Sequence, residues 1–475
     1  MKFLIRLLPV AATIAMLISP CGFASSAAMV PDEDIIITAA PAYHPLAALH
    51  GEERFPEGAQ LMLVHQGTAV PLVKDFAASA DANVSFDGKS VLFAGKHSAG
   101  DPWQIWELTI ADGVVRRLID SSTNAIRPLY LPAGQLVYAL RTSAGYQLVV
   151  AGKAASSALA SIAPNAGSTA LPISYLPASA IPVDVLLDGR ILFEANYPLG
   201  TGSTPELYLV YSDGSGVESY RCDHGRARWG GAQLSSGDVV FTHGSSLARF
   251  TSPLAHEVPV VAPRAEYAGP IAETEQGDWL VSARTAPSAH YALKLMKPGS
   301  TQPRATSLQT VLAVSGENLV EPVLIAARTR PNHHPSALHR WNYANLLALD
   351  SRLSREGDLH TLPASVRLEM RDAQGHAVVN GTAPVAADGS FFVQVPADRP
   401  IRFALLNAKG AVVRQEHGWF WIRSGEQRIC TGCHTGPERA SENLVPAVLM
   451  QTTIPVDLTG TKAVAPSQTT EPGEN

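Results

Sequence analysis

Five residues near the C-terminus, Cys430-Thr431-Gly432-Cys433-His434, concentrate the reactive chemistry of this chain. Two thiols three positions apart can each add to one vinyl group of a single porphyrin. The histidine beside the second thiol then reaches the iron from the same face as an axial ligand. The pattern predicts one covalent haem c held by Cys430, Cys433 and His434. Other chemistries also use a C-x-x-C pair. A structural zinc takes four ligands from paired motifs, and the other cysteines, Cys21 and Cys222, form no second pair. A thioredoxin-type dithiol expects a βαβ surround, which is not visible here. A plain disulfide leaves the adjacent histidine as coincidence.

The opposite side of the iron separates two kinds of haem protein. A carrier has a second strong ligand, whereas a catalytic haem keeps that position open. Met450 and His417 are the candidate sixth ligands, and His333, His334, His339 and His360 could approach from the linker. As a metal cluster of their own, His333, His334 and His339 lack carboxylate or cysteine company. Trp419, Phe420 and Trp421 either wall the porphyrin or pack in a β core. Arg423, Arg428 and Arg439 are candidate partners for the haem propionates, with a surface position as the alternative for Arg423 and Arg428.

The N-terminus reads as an export signal. Lys2 and Arg6 precede an apolar stretch, Leu7 to Ile18, too short for a comfortable membrane span, and small residues follow at 24–28. Residues 1–28 are expected to be a signal peptide, which makes the protein periplasmic or otherwise exported. Leu17-Ile18-Ser19-Pro20-Cys21 resembles a lipobox, so lipidation at Cys21 is the alternative and the one expected route to a membrane. With Cys430 and Cys433 given to haem, Cys222 is expected to be a buried free thiol. Charged residues make up 16% and the net charge is −6. That is no nucleic-acid footprint. The expected partner is a redox protein.

A repeat positions this site. An apolar strand, a Gly-containing turn and a second apolar strand appear at 84–93, 129–138 and 185–193, with weaker copies at Gly237 and Gly277. Asp-Gly between alternating apolar residues is a hairpin signal. The turn glycines recur every 40–55 residues or so, a period that suits four-stranded propeller blades. Outer strands are read at Gln104–Leu108, Val115–Leu118 and Glu206–Val210. The first copy, at 60–72, lacks an inner pair, which 310–327 could supply to close the ring. The prediction is a mainly β chain: a β-propeller over 29–330, six-bladed with seven as the alternative, then a linker and small β-sandwich over 331–415. A haem-binding segment follows over 416–458, then a disordered tail over 459–475. A short helix is expected over Tyr343–Leu353.

The segment Arg423-Ser424-Gly425-Glu426-Gln427-Arg428-Ile429-Cys430-Thr431-Gly432-Cys433-His434 resembles the R-x-G-E-x-R-x-C-x-G-C-H signature of the hydrazine synthase alpha-subunit middle domain. Asp388-Gly389-Ser390-Phe391 and Val395-Pro396-Ala397-Asp398 are similar to that domain too, and the propeller repeat resembles the TolB-type family. The resemblance implies a propeller, a small β domain and a haem. In the enzyme that names the family, a Tyr four residues beyond the motif histidine is implicated in iron binding; here that position is Glu438. The resemblance therefore leaves the reaction open. The expectation is an exported monohaem c-type cytochrome in electron transfer, with the propeller as docking or support platform. The alternatives are a haem enzyme acting on a small nitrogen compound or peroxide, or a propeller binding module with an accessory haem.

Overall fold

The computed structural model describes residues 32–152, 170–199, 202–253, 255–297, 308–354, 357–372, 374–433, 441 and 444–460. The expected signal peptide with Cys21, the expected iron ligand His434, Glu438, Arg439 and all of the tail beyond 460 lie outside the described residues. The described chain is mainly β.

Six four-stranded antiparallel sheets come from Ile35 to Leu324. Five are built from consecutive strands, as the repeat predicts. The hairpin of Ala78–Val84 and Ser90–Lys96 brackets Asp87-Gly88, and Gln104–Thr109 and Val115–Ile119 complete its sheet. The next begins with Ala125–Tyr130, the fourth with Ala180–Val185, the fifth with Arg228–Gln233 and the sixth with Glu266–Glu273. The first strands touch one another in order, and the sixth returns to the first. That is the arrangement of a β-propeller.

The ring closes through a composite sheet, but not in the predicted way. Asn318–Leu324 supplies one strand rather than two, and it pairs with Ile35–Ala40, which pairs with Gln60–His65. Ile35-Ile36-Ile37 is a continuous apolar run, buried on both faces. It therefore lacks the alternation by which half-buried strands are recognised. Leu308–Leu312, inside the stretch assigned to closure, is instead the outer strand of the sixth sheet.

Charged side chains lock the inner strands together. Arg54, on the connection between Ile35–Ala40 and Gln60–His65, pairs with Asp81 and Glu321. Arg127 reaches Glu321 at 2.7 Å, and the Tyr43 hydroxyl donates to the same carboxylate at 3.1 Å. Asp81, Arg127 and Glu321 sit at breaks in the register of three inner strands, with φ of 61°, 54° and 59°. These bulges aim each side chain out of its sheet and toward the others.

Two further sheets follow the propeller. Gln427–Cys430, Tyr343–Ala348, Phe391–Pro396 and Val456–Asp457 form one; Ala377–Pro384, Ser365–Arg371, Ile401–Leu406 and Val412–Gln415 form the other. Their inner faces share a core that includes Leu346, Val366, Leu368, Val393, Ile401 and Leu405. The helix expected at 343–353 is absent. Tyr343–Ala348 is a strand whose alternate residues Ala344, Leu346 and Ala348 are buried. Its period of two and its position between two partner strands outweigh the helix propensity of Leu and Ala.

Candidate functional site

The signature segment is where the sandwich meets the propeller. The residues before the cysteines point back into the ring. Trp421 has no exposed surface and packs among Ile173, Phe193, Val210 and Val217 of the propeller. Its Nε1 donates to the Gly214 carbonyl at 2.9 Å. Arg423 is buried. It donates to the Pro172 carbonyl at 2.7 Å and the Tyr175 hydroxyl at 3.1 Å, and its Nε lies 3.0 Å from Asp398. Glu426 accepts the backbone N–H of Arg423 at 2.8 Å through one oxygen and that of Gly216 at 3.1 Å through the other. Arg428 donates to the Val217 carbonyl. Gly425 has φ 76°, and a Cβ there would lie 2.2 Å from the His339 carbonyl oxygen, so only glycine fits.

Arg423 and Arg428 are not surface residues: Arg423 bridges propeller groups and Asp398, while Arg428 reaches the propeller at Val217 and also lies against Glu426 and the Cys430 side chain. Of the aromatic trio, Trp421 belongs to the joint, and Phe420 packs against both the propeller and the sandwich core. Trp419 lies between the guanidinium groups of Arg371 and Arg402, at 4.9 and 4.7 Å from its ring.

Burial sets the protonation of the joint. It raises the Asp398 carboxyl, with Arg423 opposing, and it raises Glu426 against the pull of Arg428. It also pushes the Tyr175 hydroxyl up to about 12. Low dielectric makes each of these groups depend on its partner.

Cys430 ends the edge strand Gln427–Cys430, which runs parallel to Tyr343–Ala348. Its carbonyl accepts the Leu349 N–H at 2.9 Å, and the Cys433 N–H donates to the Leu353 carbonyl at 2.9 Å. Both thiols are free of disulfides, half-buried and packed on the sandwich core. Burial raises the Cys430 thiol, so it is neutral at pH 7. Next to the chain that binds the two cysteines lies a cleft of about 340 Å³ of mixed character, lined by Leu349, Leu353, Leu359, Leu444 and Pro446 and equally by Asp350, Arg352, Asp358, Asp388 and Ser441. Ligand pockets commonly hold about 300–1,000 Å³. Two thiols at the haem-attachment spacing, in no disulfide, are the groups that would hold a covalent porphyrin, and the neighbouring cleft offers it both leucine side chains and charged ones.

The remaining candidates are dispersed. His417 is exposed, and Met450, on the short helix Ala447–Gln451, is 77% exposed. His334 stacks on Tyr211 and His339 on Trp341, each away from the other. His333 and His360 are exposed. Cys222 is half-buried and in no disulfide, and two residues on, His224 stacks on Tyr197 at 3.7 Å. Sequence reasoning missed Tyr175, Asp398 and Glu426 as members of the joint. For Glu426 the available signal was the density of charge in Arg423–Arg428, one residue after three aromatics; Tyr175 and Asp398 carried none.

Comparison with known proteins bears on the same segment. A family model described as "Hydrazine synthase alpha subunit middle domain" matches residues 364–435. Hydrazine synthase subunit alpha of Kuenenia stuttgartiensis is 35% identical over 83 residues, 17% of this chain. That stretch spans 10% of the relative's length. Among solved structures, Kuenenia stuttgartiensis hydrazine synthase superposes with a TM-score of 0.75 at 17% identity, covering 88% of this chain and 71% of that one. TolB from Acinetobacter baumannii gives a TM-score of 0.44 at 12% identity, covering 62% of this chain and 67% of that one. The segment carrying the two thiols is thus a hydrazine synthase alpha-like domain, on a chain with the fold seen in hydrazine synthase.

Proposed function

We propose that this protein is an exported monohaem c-type haem protein of hydrazine synthase-like character, built on a six-bladed propeller. Cys430 and Cys433 would hold the porphyrin by thioethers and His434 would bind the iron; the haem supplies one-electron redox chemistry. The observation that carries the reading is the pair of half-buried thiols, in no disulfide, at the C-x-x-C spacing within the matched domain.

Two roles remain for such a haem. The comparisons favour the hydrazine synthase-like role, in which an open iron position meets a small nitrogen compound. The exposure of both His417 and Met450 supports an open position as well. The joint at Trp421 and Arg423 supports it further, since a fixed propeller beside the haem shapes access to it. Electron transfer to a partner protein is the second reading; it needs a second strong ligand on the iron, the place Met450 or His417 would take. In either role, Cys430 and Cys433 would bind the porphyrin, and the Leu349 and Leu353 backbone bonds set the orientation of the cysteines.

The test is the absorption spectrum, oxidised and reduced, of protein produced in a host that matures c-type haem. A covalent haem whose high-spin ferric spectrum shifts on adding cyanide or nitric oxide supports the open site. A low-spin spectrum indifferent to both supports the carrier. Absence of covalent haem from the wild type, with Cys430→Ser and Cys433→Ser indistinguishable from it, overturns the haem reading.

A further inference from the structure

The turn Ala386–Ser390 occupies an unusual place between the two ends of the haem motif's exit. It closes on itself: the Ser390 N–H and Oγ both donate to Asp388 Oδ1, at 2.9 and 2.6 Å, and the Gly389 N–H donates to the Ala386 carbonyl. Asp388 has a second oxygen to spare. Oδ2 accepts the backbone N–H of Ala447 at 2.6 Å, and Ser390 Oγ accepts that of Val448 at 3.1 Å. Ala447 and Val448 open the short helix Ala447–Gln451, which no side chain of its own caps. The first N–H groups of a helix have no partner within it. Here two of them are satisfied from residues 59 and 58 positions earlier in the chain.

The other side of the same turn holds the chain that anchors the cysteines. The Gly389 carbonyl accepts both the N–H and the Oγ of Ser351, at 2.9 and 2.8 Å, and the Asp388 carbonyl accepts from Arg352 at 3.0 Å. The next residue, Leu353, binds the Cys433 N–H. Gly389 has φ 88°, and a Cβ there would fall 2.3 Å from an Asp350 oxygen, so the approach requires glycine. Ser390 is fully buried, so its hydroxyl has no water to replace these bonds.

We propose that the Asp388–Ser390 turn is a two-sided latch that holds Cys433 and the helix Ala447–Gln451 in fixed relation to each other. One side fixes Cys433 through Leu353; the other fixes Ala447. Met450 rides on the latched helix, so the latch also sets where this candidate ligand stands relative to the thiols. Asp388 and Ser390 are positioning residues, acting on the iron through the backbone that carries its ligands. The inference rests on the haem reading above.

Two variants of the full-length holoprotein test it. Asp388→Asn removes the charge and one acceptor. Ala447→Pro removes only the donor: proline suits the first helical position, and Pro446 at ψ 132° already has the backbone that a following proline demands. Both variants should keep the haem covalently bound. The ferric electron paramagnetic resonance spectrum should pass from one species to a mixture, the midpoint potential should move, and thermolysin should cut at 444–456 about tenfold faster, as expected for loss of a charge-assisted hydrogen bond. Wild-type spectrum, potential and cleavage in both variants would overturn the proposal. If the wild type carries no haem, that reading fails by its own result. The cleavage rates then still decide whether the turn holds the helix, wild-type rates in both variants refuting the latch.

Discussion

Replacing Arg423 with alanine should loosen the sandwich domain from the propeller without disturbing either core. The side chain is 8% exposed and has three partners: the Pro172 carbonyl, the Tyr175 hydroxyl and the Asp398 carboxylate. Removing one member of a buried ion pair costs about 3–5 kcal/mol. Asp398 is 31% exposed, so water recovers part of that cost. A loss of about 2–3 kcal/mol follows. Its pH dependence is the sharper signature. Burial already raises the Asp398 carboxyl, and Arg423 is what opposes it. A raised acid contributes stability that is full below its unfolded value and lost as pH rises through its folded value. Without Arg423 the folded value climbs further, so the variant should be hurt most near pH 7 and less near pH 4, where Asp398 becomes protonated. Calorimetry should show an early transition for the sandwich split from that of the propeller, with Trp421 fluorescence reporting the first. A loss under about 0.5 kcal/mol at pH 7, or one that grows as pH falls, would refute the argument that Arg423 holds the joint by charge.

Gly425→Ala should cost at least about 2 kcal/mol in urea denaturation, since it combines a left-handed backbone with a collision against the His339 carbonyl. Arg54→Met should cost about 2–3 kcal/mol, less than a fully broken buried pair, because it leaves Arg127 alone to face both Asp81 and Glu321 in the propeller interior. Although burial works against it, Arg54 and Arg127 hold the Asp81 carboxyl below the usual carboxylate range. The wild type should therefore lose that stabilisation as pH falls through the depressed value, and Arg54→Met should flatten this acid limb in a pH series of thermal melts.

The propeller was readable because its repeat is local. Each Asp-Gly or Ser-Gly turn and its flanking apolar strands lie within about ten residues, the range over which alternation is visible. The closing sheet was misread because its decisive strand, Ile35–Ala40, is buried on both faces and carries no alternation. Tyr343–Ala348 was misread for a related reason: its Leu and Ala content suits a helix, and its partner Gln427–Cys430 lies far along the chain. In the matched segment, the C-x-x-C-H spacing is local and so is visible directly in sequence. The roles of Trp421, Arg423 and Glu426 are not of that kind. Each depends on propeller groups, such as Pro172, Gly214 and Gly216, that only tertiary contact brings near.

The joining of Asn318–Leu324 to Ile35–Ala40 also sets a timetable for biogenesis. A ribosome releases Ile35 long before Asn318, and until then the earlier strand presents an apolar, unpaired edge. Such edges template pairing with other chains. The ring is thus the last thing the propeller can complete, and it depends on a contact that spans nearly its whole sequence, the kind that slows folding most. A chain truncated before residue 318 should fold into an open arc that self-associates, whereas one ending after the closing strand should yield a soluble propeller.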